Sequence, residues 1–530
     1  MVPSVTTVLQ RFKTDWAAQL QPDAIHTACQ KAGYTSWRDR LLNPVITVQL
    51  FLLQTLHGNT ACQHLPHLSG LRFSASAYCQ ARSKLPLQVL AHLLERLGHS
   101  AQPALSEEGR WHGHRTFFVD GSGCSMPDTP VLQEEFGQPA EQQPGCGFPV
   151  AHLLALFHAG TGLLTQLVVA PLNTHDLARV REVHPTLQPG DVLVADRGLC
   201  SYAHLALLVQ AGLHALLRVQ ARQMVDFTPA RPFVMPGTRR TLAIKGVPRS
   251  RWIKAHGKHD QQVEWFKPKT CPPWLAQETF KTLPPALVVR EIRYQVSTPG
   301  FRTQPITVVT TFVDAERYPC ADVAALYHQR WEAETHLGQL KTTMKMDVIH
   351  CKTVLGVLKK LTVFTMVYNL ARLVILQAAQ HQQVEVQRIS FLDALRWLGA
   401  PDSGVPLERL SINLSRPHRV EPRVQKRRPK KRYCRRTPRH YLSTHYGRHR
   451  GGGLDRTRLT AQAALVRSPR VDHRLGSIDA REIEDIGVGK RASQWLRLRL
   501  WVPQEPALQN ARCGWWRGGG PRTTPPGARY

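Results

Sequence analysis

Three kinds of hydrophobic pattern follow one another along the chain. In residues 1–105 apolar side chains recur at helical spacing, as they do from Leu87 to Leu97. Between Thr116 and Val219, short apolar runs bounded by Gly and Asp are typical of strands alternating with short helices. Strand-like pieces among Pro and basic residues fill 220–317, and long helical patterns return from 318 to 400. The pattern therefore predicts an α/β protein with a helical N-terminal domain.

The middle region has the element order β-β-β-α-β-α-β, which predicts an antiparallel hairpin fused to parallel crossovers. Its predicted strands are Thr116–Asp120, Val150–Phe157, Leu163–Ala170, Asp191–Asp196 and His214–Val219, and its predicted helices are Asp176–His184 and Ser201–Gln210. Residues 220–317 are predicted to be a β-rich insertion. Its strand-like pieces are Thr241–Ile244, Gln262–Phe266, Ala286–Val296 and Ile306–Val313.

A helix-turn-helix pattern lies inside the N-terminal region. A predicted helix near Asn59–Leu68 meets a Ser69-Gly70 turn, and a second helix begins at Ser74 or Ser76, which can cap it. Such a module places its second helix in the major groove of DNA. Plain helical bundles show the same pattern, so both interpretations stay open.

Four polar residues share one strip of a predicted helix after residue 318. Taking Tyr327 as the origin, Arg330, Glu334 and Lys341 lie within roughly 60° on one side at about 100° per residue. A core stripe borders the strip, and it consists of Leu326, Ala333, Leu337, Leu340 and Met344. The strip suits a site for a phosphate and a metal ion. A solvated face is the alternative, because Arg330 and Glu334 also form an i,i+4 pair.

Two aspartates close apolar strands and are followed at once by turns. Asp120 is followed by Gly121, and Asp196 by Arg197 and Gly198. If the two strands are neighbours, both carboxylates emerge at the same sheet edge, and Glu334 could complete a cup. Carboxylate oxygens suit magnesium or manganese rather than zinc. Asp before Gly is also ordinary turn chemistry, and the rival acids are Asp128, Asp176, Asp191 and Glu332.

The charge of the chain predicts a polyanionic partner. Its 530 residues contain 69 Lys and Arg against 38 Asp and Glu, a formal charge of +31, and the pI is near 10.3. DNA or RNA is the first candidate for such a protein. From residue 416 onward basic residues exceed acidic ones by 20, and residues 419–439 hold eleven Lys or Arg with a single acid, Glu421. This run is predicted to be a flexible arm.

Cysteine usage and hydropathy predict a cytoplasmic protein without a membrane span. The eleven cysteines include no Cys-x-x-Cys pair and no zinc-like spacing, which is typical of reduced thiols. The N-terminus has no signal-peptide pattern. The most apolar stretch, Val357–Leu376, includes Lys359, Lys360, Asn369 and Arg372, and it is predicted to be a core helix.

These residues resemble a known family. The spacing Tyr327-x2-Arg330-x3-Glu334-x6-Lys341 is similar to the Y-R-E-K signature of bacterial DDE-type insertion-sequence transposases of the insertion-sequence-four group. Asp120 and Asp196 match that family's first two catalytic aspartates in order and setting. The stretches DGSGCSMPDTP, DVLVADRGLCSY and ALYHQRWEAE also resemble its motif blocks, and the resemblance covers roughly residues 10–440.

The resemblance implies a fold and a division into domains. It implies an RNase H-like catalytic domain, with a mixed five-stranded sheet and flanking helices, interrupted by the β-rich insertion. The predicted domains are a DNA-end-binding domain at 1–105, catalytic parts at 106–219 and 318–400 around the insertion 220–317, a basic segment at 401–446 and a tail at 447–530. The tail departs from the family, and the hypothesis is that it is disordered, read-through or frame-shifted sequence.

The resemblance also implies a chemistry. Asp120, Asp196 and Glu334 would bind two Mg²⁺ ions, for which Mn²⁺ can substitute, and Tyr327, Arg330 and Lys341 would hold phosphates near the cut. Water would cut a strand at the element's end, and the released 3′-hydroxyl would attack the opposite strand or the target. Expected partners are double-stranded DNA, as terminal inverted repeats and target, and a second copy in a homodimeric synaptic complex. The expected location is the bacterial cytoplasm, associated with the nucleoid.

Two other functions stay open. One is a metal-dependent DNA nuclease of the same fold that hydrolyses strands and never joins them. The other is an inactive DNA-binding relic whose basic segments do all the binding. Joined products with a 3′-hydroxyl donor distinguish a transposase from a nuclease, and magnesium-dependent nicking distinguishes either of them from a relic.

Overall fold

The fold is taken from a computed structural model of the chain. It describes residues 20–37, 40–140, 142–143, 147–233, 250–295, 305–399 and 409–412, and the backbone of 497–499. The predicted strand Thr241–Ile244, the basic run 419–439 and most of the expected tail lie outside these described residues. The predicted domain boundaries stay predictions.

One mixed β-sheet runs through the described residues. Its strands are β1 Thr116–Ser125, β2 Val150–His158, β3 Leu164–Pro171, β4 Val192–Ala195, β5 His214–Arg218, β6 Ser250–Gly257, β7 Asp260–Phe266, β8 Ala286–Gln295, β9 Pro305–Thr310 and β10 Arg497–Arg499. Their spatial order is β10-β3-β2-β1-β4-β5-β9-β8-β7-β6. The pairs β1–β4 and β4–β5 are parallel, and the other pairs are antiparallel. The predicted hairpin fused to parallel crossovers is confirmed.

Two predictions about the sheet were wrong. The first strand does not end at Asp120, because β1 stays paired with the long strand β2 as far as Ser125, opposite Val150. The sheet is also larger than five strands, because β9 pairs with β5 from Leu216 opposite Thr310. An unpaired β5 would expose a row of backbone donors and acceptors. The insertion strands β6 to β9 therefore continue the sheet that carries the two aspartates.

The helices surround this sheet, and those before residue 108 form the predicted helical region. They are α1 Pro22–Lys31, α2 Pro44–Leu56, α3 Leu65–Ser69, α4 Ala75–Lys84, α5 Leu87–Ser100, α6 Gln102–Glu107, α7 Pro130–Phe136, α8 Asp176–Arg179, α9 Tyr202–Gln210, α10 Gln277–Thr282, α11 Cys320–Gln329, α12 Trp331–Gly338, α13 Val354–Gln382 and α14 Phe391–Gly399. The predicted helix Asp176–His184 is shorter than expected, because 3₁₀ turns follow α8.

The predicted helix-turn-helix segment is present as α3 and α4. The first helix is shorter than predicted, and a 3₁₀ turn at Cys62–His64 precedes it. Gly70 ends α3 with φ +69°, a left-handed conformation that Gly adopts without a steric cost. The hydroxyl of Ser74 accepts a hydrogen bond from the Ala77 N–H at 3.1 Å, so Ser74 rather than Ser76 caps α4.

The long helix α13 forms the centre of the protein. Among the described residues it alone is long and apolar enough to cross a membrane, and 94% of its most apolar window is buried inside the structure. Lys359 donates to the carbonyl of Ser83 at 2.8 Å, and Lys360 to the hydroxyl of Thr55 at 3.2 Å. The lysines that make α13 unusually polar are thus hydrogen-bonded to N-terminal helices, as the prediction of a core helix requires.

The two faces of the sheet pack into two hydrophobic cores. Phe118, Val194 and Leu216 belong to the core that also contains α13. The core on the α9 side contains the sequence neighbours of these residues, Phe117, Leu193 and Leu217. Side chains alternate between faces along a strand. The next residues after the parallel strands therefore point towards the α13 side.

Candidate active site

Two aspartates and an arginine lie in a row across the three parallel strands. The last paired residues are Val119 of β1 and Ala195 of β4, and Ala195 also pairs with Leu217 of β5. Asp120, Asp196 and Arg218 each follow one of these residues. Because neighbouring strands lie about 4.8 Å apart, the two carboxylates meet at one sheet edge, as the sequence predicted. We define these three residues as the strand-end row.

Arg218 is a functional candidate that the sequence interpretation missed. It ends a short apolar strand, just as the two aspartates were thought to do, but its place beside Asp196 depends on the pairing of β4 with β5. Its charge acts on the phenol of Tyr327 and lowers the pKa of that group against the effect of burial. A cavity of about 230 Å³ beside it is also lined by Arg293 and Gln223.

Each aspartate accepts a hydrogen bond from a nearby backbone N–H through its Oδ1 atom. The Gly121 N–H donates to Asp120 Oδ1 at 3.0 Å. The Gly198 N–H donates to Asp196 Oδ1 at 2.8 Å and thereby caps the 3₁₀ turn Arg197–Leu199. The turn chemistry that was the alternative interpretation is thus present at Asp196 and not at Asp120, which lies within the continuous strand β1. The Oδ2 atoms take no part in these two hydrogen bonds.

The Y-R-E-K residues do not lie on one continuous helix, which corrects the prediction. Helix α11 ends at Gln329 and α12 begins at Trp331, and the Arg330 N–H bonds the Tyr327 carbonyl at 3.2 Å in a tighter turn between them. A π-type turn, Gln339–Thr343, follows α12 and carries Lys341. From there Lys341 Nζ reaches Ser122 Oγ on β1 at 3.1 Å.

Arg330 links the helix to the strand-end row. Its Nη2 lies 3.0 Å from Glu334 Oε1 and its Nη1 lies 3.9 Å from Asp120 Oδ2. The Arg330 side chain is only 10% exposed, whereas that of Glu334 is 45% exposed. The buried Nε of Arg330 has no hydrogen-bond partner among the described residues. A buried donor without a partner is costly, so this edge of the guanidinium suits an anion.

The ionisation of Asp120 and Tyr327 reflects the same cluster. Burial raises the pKa of Asp120 to about 6, although Arg330 and the Gly121 N–H oppose this, and the charges of Asp196 and Glu334 raise it further. Burial also raises the pKa of Tyr327 to about 12, again opposed by Arg330. Three carboxylates and one guanidinium therefore act on each other within a single site.

The donor atoms of the site are of the type that binds divalent ions. All three candidate ligands supply carboxylate oxygens, which Mg²⁺ and Mn²⁺ prefer, and Asp120 and Asp196 lie side by side where the pairing of β1 with β4 ends, with Asp120 Oδ2 3.9 Å from Arg330 Nη1. Within the described ranges, however, no group of three or more His, Cys, Asp or Glu side chains is assembled as a ready metal site. Glu334 is instead paired with Arg330. The residues fit in donor type, and the shared coordination by Asp120, Asp196 and Glu334 stays a prediction.

The rival acids have other partners. Burial raises the pKa of Glu332, which is hydrogen-bonded to Gln387 and lies within reach of the charge of Arg372. Among the others, Asp191 pairs with Arg115 with an Nε–Oδ1 distance of 2.8 Å, Asp128 accepts from Gln133 at 2.9 Å, and Asp176 lies 2.5 Å from His152. The charges that act on the carboxyl of Asp120 are those of Arg330, Asp196 and Glu334.

The site and the fold around it belong to a known class of catalytic domain. Residues 111–370 match the family described as the transposase DDE domain, and all six residues of the predicted site lie inside that range. The chain therefore carries a DDE transposase domain, which is the domain of an enzyme that transfers phosphoryl groups of DNA, and enzymes of this family use a divalent metal. The suspected family is confirmed.

Two relatives from Escherichia coli (strain K12) are similar to the chain. The transposase InsG of insertion sequence element IS4 is 22% identical over 374 residues, 68% of this chain and 76% of InsG. InsZ is 25% identical over 138 residues, 26% of this chain and less than half, 46%, of InsZ. A cryo-EM structure of the piggyBac transposase synaptic complex with hairpin DNA aligns with a TM-score of 0.39 at 10% identity, over 75% of this chain and 80% of that one. That likeness is too low to define a shared fold.

Proposed function

We propose that the protein is an insertion-sequence transposase that cuts DNA at the ends of its element and joins the 3′-hydroxyl ends to target DNA. The observation that carries this proposal is the strand-end row, in which Asp120 and Asp196 emerge side by side on the face where Arg330 and Glu334 lie. We further propose that β1 to β5 with their helices form an RNase H-like core, and that β6 to β9 are an insertion into it.

In this proposal the carboxylates of Asp120, Asp196 and Glu334 hold two Mg²⁺ ions, which would activate the attacking oxygen and stabilise the leaving oxygen of an in-line displacement. Glu334 must exchange its contact with Arg330 for this role. Asp120 and Asp196 would use Oδ2 or the remaining lone pair of Oδ1, since each Oδ1 atom accepts one backbone N–H group.

The cationic residues position the DNA backbone. Arg330 presents its unpartnered Nε edge to a phosphate, and a guanidinium can make two parallel hydrogen bonds to it. Lys341 offers a point charge next to β1, and Arg218 offers a second guanidinium at the other end of the strand-end row. Tyr327 is protonated at neutral pH, as an ordinary tyrosine is, so its hydroxyl can donate to a phosphate oxygen.

The expected partners follow from the same proposal. The helical region containing α3 and α4 would bind the terminal inverted repeats, and the basic run 419–439 would add salt-dependent contacts to the phosphates. Joining two ends requires both to be held at once, so a homodimer in the synaptic complex is proposed. The proposed location is the bacterial cytoplasm at the nucleoid.

Conservative replacement of each acid tests the proposal. Asp120→Asn, Asp196→Asn and Glu334→Gln are expected to lose magnesium-dependent cleavage of a plasmid that carries the gene with its native flanking DNA. The matched control is Glu332→Gln, which changes an acid two residues from Glu334 that contacts Gln387 and Arg372 instead. Its activity is expected to stay at the level of the unchanged protein. Equal loss in the control, or full activity in Glu334→Gln, would contradict the assignment.

The products distinguish the three functions. A transposase gives joined molecules when a 3′-hydroxyl end and a target plasmid are supplied, whereas a nuclease gives only nicked and linear DNA. A relic binds the plasmid and leaves it intact with either Mg²⁺ or Mn²⁺. The proposal therefore requires joined products that vanish in all three acid variants and persist in Glu332→Gln.

A further inference from the structure

Two cysteine thiols lie in contact in the helix-turn-helix segment, far along the chain from the acidic residues. Cys62 begins the 3₁₀ turn before α3, and Cys79 lies in α4. Their Sγ atoms are 3.8 Å apart, and both cysteines are free.

Disulfide geometry is within reach of this pair. A disulfide requires an S–S distance of about 2.05 Å, so the two sulfurs must approach by about 1.7 Å. Cys79 is exposed and Cys62 is half-buried, so a small oxidant can reach the pair and the Cys79 side chain has room to turn. An oxidised pair would close a short loop that contains α3 and the Gly70 turn.

The surroundings favour a neutral product over a metal site. Arg82, one turn beyond Cys79 on α4, contacts the thiol of Cys351 at 3.8 Å, and it lowers the pKa of Cys79 against the larger effect of burial. Lys359 and Lys360 also act on the thiol of Cys351. The charge of Arg82 opposes the binding of a metal cation beside Cys79, and no three potential ligands assemble for one among the described residues. A disulfide adds no charge to this cluster.

We propose that Cys62 and Cys79 are a reversible oxidation site, whose disulfide locks α4 to the turn that precedes α3. The oxidant is a small-molecule disulfide. The thiolate of one cysteine attacks it and releases one small thiolate, which leaves a mixed disulfide on the protein. The second cysteine then loses its proton and attacks the protein sulfur of that mixed disulfide, which forms the Cys62–Cys79 bond and releases the second small thiolate. Two thiols are oxidised and one small disulfide is reduced.

The disulfide would constrain side chains that join α2 to α4 and to the turn before α3. Gln54 on α2 donates to Cys62 Sγ at 3.6 Å, and its Oε1 accepts from Arg82 at 3.1 Å and from Tyr78 at 3.3 Å. A covalent link between Cys62 and α4 therefore constrains the whole contact between α2 and α4. Any effect of the disulfide on DNA-end binding rests on the proposed function, whereas the formation of the disulfide is independent of it.

Peptide mapping of the full-length protein tests the site. The reduced protein is treated with oxidised glutathione and then digested with trypsin without reduction. Arg72 lies between the two cysteines, so the disulfide joins two separate peptides and the product is lighter than their sum by two hydrogens. The linked pair is expected in the unchanged protein and in Cys271→Ser, a control at a half-buried thiol elsewhere. It is expected to be absent from Cys79→Ser and Cys62→Ser.

Two further results decide the proposal. Oxidation is expected to raise the melting temperature of the unchanged protein and not that of Cys79→Ser, because the link constrains the unfolded chain. Glutathione retained on single cysteines, or a link from Cys351 to either thiol in place of the expected pair, would overturn it. Failure of plasmid cleavage would contradict the transposase function and leave the linked peptide unaffected, so the two proposals fail separately.

Discussion

At the scale of single residues, the site is organised by cations more than by acids. Arg330 contacts both Asp120 and Glu334, Lys341 contacts β1, and Arg218 ends the strand-end row. The sequence predicted the acids and two of these cations, because strand ends and helix periodicity are visible in it. It did not predict Arg218, since only the pairing of β4 with β5 places that residue beside Asp196.

Lys341→Ala tests whether this lysine serves DNA or only the fold. We expect cleavage of the plasmid to slow by about 10–100-fold, the loss of one charged hydrogen bond of about 1.5–3 kcal/mol, with an unchanged midpoint of urea unfolding. Ser122→Ala is the matched control, because it removes the protein partner of Lys341 and keeps the charge. An equal loss of cleavage in both variants would mean that the Lys341–Ser122 contact is a structural anchor.

At the scale of elements, the long helix α13 determines how the N-terminal helices and the sheet meet. Its side chains bond to main-chain groups of both. Tyr368 donates to the Gly162 carbonyl at 2.9 Å, and Arg372 donates to the Thr161 carbonyl at 2.7 Å. The apolar stretch Val357–Leu376, too polar to span a membrane, predicted a core helix here. Its polar residues gave no indication of their partners, because these lie about 200 residues away in the chain.

Asn369 makes the clearest of these contacts. Its amide accepts from the Leu164 N–H at 2.9 Å and donates to the Leu164 carbonyl at 3.0 Å, in a fully buried setting. Asn369→Ala leaves both backbone groups unpaired, and we expect a loss of about 2–4 kcal/mol in the free energy of unfolding, measured by urea titration. Gln380→Ala, at the exposed end of the same helix, is expected to change it by less than about 0.5 kcal/mol.

Lys360 gives α13 a pH-dependent contribution to stability. Burial lowers its pKa to about 7, against about 10.4 in an unfolded chain. Between these values the unfolded chain binds more protons, so the free energy of unfolding rises with pH through this window by as much as about 1.4 kcal/mol per unit. Lys360→Met removes this titration. We expect a more stable protein at pH 7 and a smaller rise up to pH 10.

Urea titrations at several pH values check this prediction. Lys359, whose pKa burial lowers to about 8, still titrates in the Lys360→Met variant and leaves part of the slope. The control is Lys352→Met at an exposed position, which keeps the full slope. An unchanged slope in Lys360→Met would show that Lys360 stays protonated in the folded protein.

At the scale of the whole molecule, one sheet joins the catalytic strands to the inserted ones. The sequence predicted the strands β7, β8 and β9 from their apolar runs, but it missed β6, whose residues are mostly exposed and show no clear alternation. It also placed the end of β1 too early, because the Gly and Ser residues after Asp120 are typical of a turn. The first error arises because β6 lacks an apolar alternation although it pairs with the next strand, β7, and the second because the pairing of β1 with β2 up to Ser125 is not visible in the local sequence.

The charge of the whole chain predicts salt-dependent DNA binding. Replacing Lys426, Arg427, Arg428, Lys430 and Lys431 with Gln removes five positive charges from the basic run. We expect weaker plasmid binding, and a slope of log affinity against log salt that is smaller by as much as about 4.5. Filter binding across a salt series measures it. Asp120→Asn should keep the original slope, and an unchanged slope in the Gln variant would show that this run does not contact DNA.

The pairing of Arg330 with Glu334 has one more consequence. If Glu334 left the guanidinium for a divalent cation, Arg330 would keep only the more distant carboxylate of Asp120, 3.9 Å away, as a counter-charge until an anion arrived. The release of Glu334 and the binding of an anion to Arg330 are coupled. An anion bound to Arg330 makes Glu334 easier to recruit, and recruitment of Glu334 raises the affinity of Arg330 for the anion by the same factor. The third carboxylate of the site would therefore become available to a cation most readily when a polyanion is bound to Arg330.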